Sequence, residues 1–313
     1  MKLPIFKTIE EKKQAYNYEQ VNTLKEALEK LNELKNIDPV NTYFRGQAEG
    51  SWKIYASAQR EWLVKELNCA CGDYHSFLQN LLHYFKENGS TFLNKYCKVV
   101  TDVSVFSTSQ HYGAPTPFVD WTSNVDIALY FASLGNENCV GFETDSYFSV
   151  YCLTVGKGAK TPNNDLTRFS TLLGNHKKEM QKVQQELGKI SGSDYQEALN
   201  FDVWKGFPII WMEESEDEWM QIANPRSDLQ KGAFVYNSAP EKSLDQIFTG
   251  LKMSDMANTG ELLLSKIRCL DIHKSVLPQL QNYLKDKNIN SGSLGLSSGD
   301  WGATLYRQFW ARF

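Results

Sequence analysis

The run FVDWTSNVDIALYFA, residues 118–132, allows few structures. Its first five residues alternate, so a strand here puts Asp120 and Thr122 on one face and Val119 and Trp121 on the other. The next residues read as a helix capped by Ser123 or Asn124. A second short strand, YFRGQ (43–47), runs into a glycine turn. Arg45 and Asp120 both need polar company if buried, so the two strands are expected close together. FSVYCLTV (148–155) reads as a buried strand, FPIIWMEE and EWMQIANP as strands around the acidic turn EESEDE, and KGAFVYN as another. Helices are expected over 18–36 (stripe Val21, Leu24, Leu28, Leu31, Leu34), 73–98, 241–252, 261–267 and 274–286, with a last one near the end. Together these give an α+β fold, a mixed sheet flanked by helices. Three parts are expected: an N-terminal helical segment (1–40), a main domain (41–290) with a helical insertion at about 156–205, and a C-terminal turn and helix (291–313).

The chain has 313 residues, 42% hydrophobic and 22% charged, which is globular and large enough for a sizeable core. A net charge of −4 gives no overall pull toward nucleic acid or anionic membrane, though it leaves room for a local basic groove. No run of 18 apolar residues is present, and MKLPIFKTIEEKKQ lacks the apolar core of a signal peptide. No membrane span is therefore expected. Cysteines 69, 71, 97, 139, 152 and 269 are too scattered for a disulfide scaffold. Cys69 and Cys71 have no second ligand pair, and His75 and His83 are two turns apart on a helix, so no metal is expected. Free thiols fit a cytoplasmic protein.

The polar candidates cluster in the two motifs. Arg45, ending a strand before Gly46, is suited to a bidentate hold on phosphate or carboxylate, with glycine allowing close backbone approach. It could equally form a plain buried pair with Asp120. Gln110, His111 and Tyr112 precede a loop stiffened by Gly113, Pro115 and Pro117; they can serve a ligand or bond loop backbone. Thr122 stands where a helix begins, a place that favours anions. The hydroxyls of FSTS (106–109) fit a helix-to-loop transition as well as a site. Gln230, just before a strand, can bond a ligand hydroxyl or a backbone group. These residues imply a polar, anion-binding pocket. They imply no reaction: no glycine-rich phosphate loop, metal spacing or Ser-His-Asp order is present.

The segments YFRGQ, WKIYASAQR and QHYGAPTPFVDWTSNVDIALYFA, with PRSDLQKGAF later, resemble the FRG-domain family, named for its Phe-Arg-Gly motif. The likeness runs loosely over 20–290. Pro117 departs from the family's usual arginine, and LGLSSGDWGA from its C-terminal motif. More remotely, aromatic-Arg-Gly on a first strand and hydroxyls ending a second resemble ADP-ribosyltransferases of the Arg–Ser–Glu class. That resemblance implies an ADP-ribosyltransferase-like core and NAD as substrate, without a metal. Arg45 would clamp the diphosphate and Thr122 set the ribose. Gln230 would hold a ribose hydroxyl, and Tyr112 or Tyr130 would stack on the nicotinamide. Gly46, Gln47, His111 and Asp120 complete the implied NAD site. Gly232 stands where the transferases carry their glutamate, so either Asp120 or an acid of EESEDE would replace it, or catalysis would rest on distortion and leaving-group stabilisation. The implied activity is modification of a nucleic acid or protein target, as by a toxin or phage-defence effector with an antitoxin partner. The alternative is a module that binds a nucleotide or nucleic acid without chemistry.

Overall fold

The computed structural model describes residues 3–67, 72–97, 100–135, 141–154, 201–204, 209–213, 225–250, 267–296 and 299–311. In chain order the helices are α1 Ile9–Ala15, α2 Leu24–Ile37, α3 Ser57–Val64, α4 Tyr74–Asn88, α5 Ser90–Tyr96, α6 Asp102–His111, α7 Val125–Ala132, α8 Phe201–Trp204, α9 Pro225–Gln230, α10 Leu244–Gly250, α11 Leu277–Asp286 and α12 Trp301–Trp310. The strands are β1 Asn17–Val21, β2 Thr42–Gln47, β3 Phe118–Thr122, β4 Tyr147–Thr154, β5 Ile209–Glu213, β6 Gly232–Asn237 and β7 Arg268–His273. They form one mixed sheet in the order β1-β7-β4-β2-β3-β6-β5. The β1–β7 pair is parallel and every other pair antiparallel. The α+β class and the neighbouring placement of the Arg45 and Asp120 strands follow the sequence reading.

Two expectations shift. The helix expected from residue 18 begins at Leu24, because Asn17–Val21 pairs with β7 as a strand. Thr23 then caps α2, accepting from the Glu26 amide at 3.2 Å. The helix expected over 73–98 divides at Gly89, where a Cβ would lie 2.5 Å from the Trp301 ring. The expected helix at 261–267, the acidic turn, the strand EWMQIANP and all but Phe201–Trp204 of the expected insertion lie outside the described residues, apart from Glu213, Pro225 and Ile267. Cys69, Cys71 and Cys139 lie outside them too, whereas Cys97, Cys152 and Cys269 are buried free thiols.

Alternation along the strands sorts the core. Phe44, Phe148, Val150 and Ile272 meet α2, α7 and α11 on one face. Farther along that face Phe118, Phe234 and Tyr236 meet α4, α6 and α12. The opposite face carries Tyr43, Val119, Trp121, Tyr151 and Val235, covered by Phe6, Tyr16 and Leu244. The N-terminal segment is held there by a buried ion pair: Lys12 Nζ lies 2.5 Å from Asp271 Oδ1 and donates to Ser149 Oγ at 2.9 Å. A buried charge of this kind persists only when paired and hydrogen-bonded.

Helix α7 crosses β2 at Gly46. A Cβ there would overlap the Ala128 carbonyl and lie 2.6 Å from the Ala132 amide nitrogen. The close approach that glycine permits is therefore made by the protein's own helix. Gly46→Ala is expected to cost about 3 kcal/mol or more, since neither partner is a side chain able to turn aside. A lowered denaturant midpoint, or loss of soluble protein, is the result to measure.

Candidate functional site

The β2–β3 ladder carries a single registered pair, Phe44 opposite Thr122. Beyond it the strands part, and the next side chain on β2, Arg45, bridges the opening: its Nη1 donates to the Asp120 carbonyl at 2.8 Å. The same nitrogen is 4.0 Å from Asp120 Oδ2. A cavity of about 630 Å³ opens at this seam. β2 and β3 form its floor, α7 one wall, the end of α6 another, and residues 3–5 of the N-terminal segment a third.

Charge is unevenly placed here. Arg45, Arg60 and Lys53 line the cavity, and Asp120 is the carboxylate among the described lining residues. Lys53 also faces Asp245, at 4.0 Å. Burial lowers the proton affinity of the Arg45 guanidinium, Asp120 raises it, and Arg60 lowers it again. Arg60 is an exposed residue, yet desolvation lowers the proton affinity of its guanidinium, with Asp120 and Glu61 opposing. Guanidinium groups hold their proton through such shifts, so both arginines stay cationic.

Asp120 is oriented as well as exposed. Its side chain is 51% accessible, against 17% for Arg45. Gln110 Nε2 donates to Asp120 Oδ2 at 2.7 Å. The direction of that amide is set from behind, because Gln110 Oε1 accepts from Ser57 Oγ at 3.2 Å and from Thr116 Oγ1. With hydroxyl donors on its oxygen, the amide must turn its nitrogen to the carboxylate.

Residues 40–138 match the family model of the FRG domain. The chain carries an FRG domain. No curated protein and no solved structure matches the chain. The FRG domain supplies β2, α3–α6, β3 and α7, hence Arg45, Arg60, Gln110 and Asp120. Gln230, Gly232, Phe234, Leu296 and residues 3–5 complete the cavity from outside the matched segment.

Arg45, His111, Asp120, Thr122 and Gln230 all line this one cavity, as do Gly46 and Gln47. His111 is buried with its ring edge-on to Phe234 at 5.7 Å. Tyr112 and Tyr130, expected to stack on a ligand, are not among the lining residues. Tyr112 is buried over the Arg226 guanidinium, 4.1 Å from ring centre to Cζ. Tyr130 packs into the cluster shared by α2, β4 and α11, while its helix turns Ile127, Ala128 and Phe131 to the cavity. The hydroxyls of 106–109 are buried within α6. Among the described residues no group of three or more His, Cys, Asp or Glu is placed to hold a metal, and no helix is long and apolar enough to cross a membrane.

Arg60, Lys53 and the half-exposed Trp52 are lining residues that sequence reasoning missed. Arg60 had a detectable signal. It sits early in α3, whose first turn carries no acid, and a cation there opposes the helix dipole.

Two of the implied catalytic groups are engaged with backbone. Thr122 Oγ1 donates to the Gln230 carbonyl at 2.7 Å and accepts from the Asn124 amide at 3.1 Å. Asn124 caps α7, accepting from the Asp126 amide at 2.9 Å. Gln230 Nε2 donates to the Leu294 carbonyl at 3.2 Å. Gln230→Glu would set a carboxylate against that carbonyl. The expected result is a loss of about 1–3 kcal/mol in stability and no gain of activity, read from the melting temperature and a nicotinamide-release assay run together.

Proposed function

We propose that the cavity binds NAD and that the protein transfers ADP-ribose from it to a nucleic acid or protein. The observation that carries this reading is the pair Arg45 and Arg60 beside one oriented carboxylate, Asp120, in a cavity roomy enough for a nucleotide. Two guanidinium groups suit a diphosphate, since each offers a fork of donors that matches phosphate oxygens. In the transfer, the bond between ribose C1′ and the nicotinamide nitrogen breaks, its electron pair leaving with nicotinamide. A nucleophile of the target then bonds to C1′ and loses its proton. Asp120 is suited to offset the positive charge that develops on the ribose and to receive that proton. It stands in for the glutamate that position 232, a glycine opposite Thr122, does not supply. An ADP-ribosyltransferase-like core is part of this proposal.

The second reading is a nucleotide-binding module without chemistry. The engagement of Thr122 Oγ1 and Gln230 Nε2 with backbone carbonyls favours it, because neither group then acts on a ribose without breaking a bond.

Nicotinamide release from NAD and transfer of labelled ADP-ribose to a lysate separate the two. Arg45→Ala is expected to lower turnover by about two to three orders of magnitude, the equivalent of about 3–4 kcal/mol of charge-assisted bonding. Arg45→Lys is expected to restore little, because a point charge lacks the planar fork. Asp120→Asn is expected to lower turnover about 100-fold with NAD binding no weaker. NAD binding without release in the wild type would establish the binding module instead. No measurable NAD binding would end the transferase reading.

A further inference from the structure

Apart from the Tyr55 hydroxyl, which faces Ser243, three buried polar atoms on residues lining the cavity have no hydrogen-bond partner among the described residues: Arg45 Nε, Gln47 Oε1 and Trp121 Nε1. Gln47 is 6% exposed and Trp121 2%. Buried polar groups nearly always find a partner, so three on one cavity call for a reason. Strand geometry brings them together. Phe44 and Thr122 are paired and point to one face, so their neighbours Arg45 and Trp121 both turn to the other, and Gln47 follows two residues later on that same face. Tyr43, Val119 and Trp121 share one core cluster, which identifies that face.

The roles of the three atoms are fixed. Gln47 Nε2 points to the Trp52 carbonyl at 3.5 Å, so Oε1 is the acceptor left over. Arg45 has Nη1 on the Asp120 carbonyl, and its Nε–H remains a donor. The Trp121 ring packs with Val119 and Val235, a task that needs no N–H. The set is therefore two donors and one acceptor. Phosphate or carboxylate would satisfy the donors but bring a negative oxygen against Gln47 Oε1. An amide edge matches all three, its oxygen accepting twice and its N–H donating once.

We infer that this part of the cavity recognises a planar amide edge, a primary carboxamide or a nucleobase lactam, through Trp121 Nε1, Arg45 Nε and Gln47 Oε1. The inference rests on the reading of the cavity as a nucleotide site and adds which part of the nucleotide is read. It assigns to Trp121 and Gln47 a choice between ligands, and to the arginine head groups the hold on phosphate.

Calorimetric titration of the full chain tests it with five probes: NAD, its 3-acetylpyridine analogue, uridine monophosphate, ribose 5-phosphate and inorganic pyrophosphate. The acetyl analogue keeps the oxygen and loses the N–H. The expected result is a preference of about tenfold or more for NAD over that analogue if the source is a carboxamide, or for uridine monophosphate over the ribose phosphate if it is a nucleobase. Gln47→Met is expected to cut that preference below about threefold. Trp121→Phe, which keeps an aromatic ring and removes the N–H, is expected to weaken the preferred ligand about tenfold. Pyrophosphate binding should be unchanged in both variants, which also shows that they are folded. Pyrophosphate binding with neither preference in the wild type would overturn the inference whatever the variants do, and would leave an anion site standing. A preference untouched by both variants would overturn it as well. Failure of NAD and pyrophosphate alike to bind would remove the nucleotide reading and the inference together.

Discussion

Gly46 lies under the backbone of α7, with no room for even one carbon between them. That contact sets the helix across β2 and so fixes the cavity wall that Ile127, Ala128 and Phe131 provide. It also bears on the seam. With α7 pressed onto β2 and β3 leading directly into α7, the two strands meet at Phe44–Thr122 and part beyond it. A sheet that parts exposes backbone carbonyls that must be satisfied. Arg45 meets that need at Asp120 with one nitrogen and leaves the rest of its head group beside the opening. The Phe-Arg-Gly sequence thus reads as three adjoining tasks: Phe44 in the core, Arg45 across the gap, Gly46 beneath the helix.

The chemistry of the cavity follows from how its few charges are held. Two arginines face one carboxylate, and Gln110 orients that carboxylate from a base of two hydroxyls. An amide locked this way cannot flip to present its oxygen, so Asp120 faces a donor. On the far side, Arg226 and Gln230 of α9 donate to the carbonyls of Leu294, Gly295 and Gly299. These bonds draw residues 294–296 and Gly299 against the cavity, where Leu296 joins the lining. Leu296 is thus held at the site by donors on a single short helix.

Some of this was legible in the chain. Strands at 43–47 and 118–122 announce themselves by alternation and by their turn and cap residues, and polar residues placed within apolar strands marked Arg45, Asp120 and Thr122. Tyr112 and Tyr130 were misplaced because each sits on or at the end of a helix, where the packed face decides which way a ring turns. Val21 was read as the first position of a helical stripe. A parallel partner more than two hundred residues away makes it a strand instead. Arg60 escaped notice because an exposed arginine on a short helix is ordinary until the fold brings it beside Arg45.

The sequence by itself determined the α+β class, the adjoining motif strands and the presence of a group of polar side chains within them. These depend on short-range periodicity, on caps and glycines, and on the cost of burying charge, all of which act within a few residues. Only the tertiary structure decided where the β2–β3 pairing stops, which aromatic residues face the cavity, that the Thr122 hydroxyl and the Gln230 amide are spent on backbone, and that Arg45 Nε, Gln47 Oε1 and Trp121 Nε1 are left over. Those outcomes turn on hydrogen-bond partners distant in sequence, and a donor's partner is settled by what the whole chain brings within 3 Å of it.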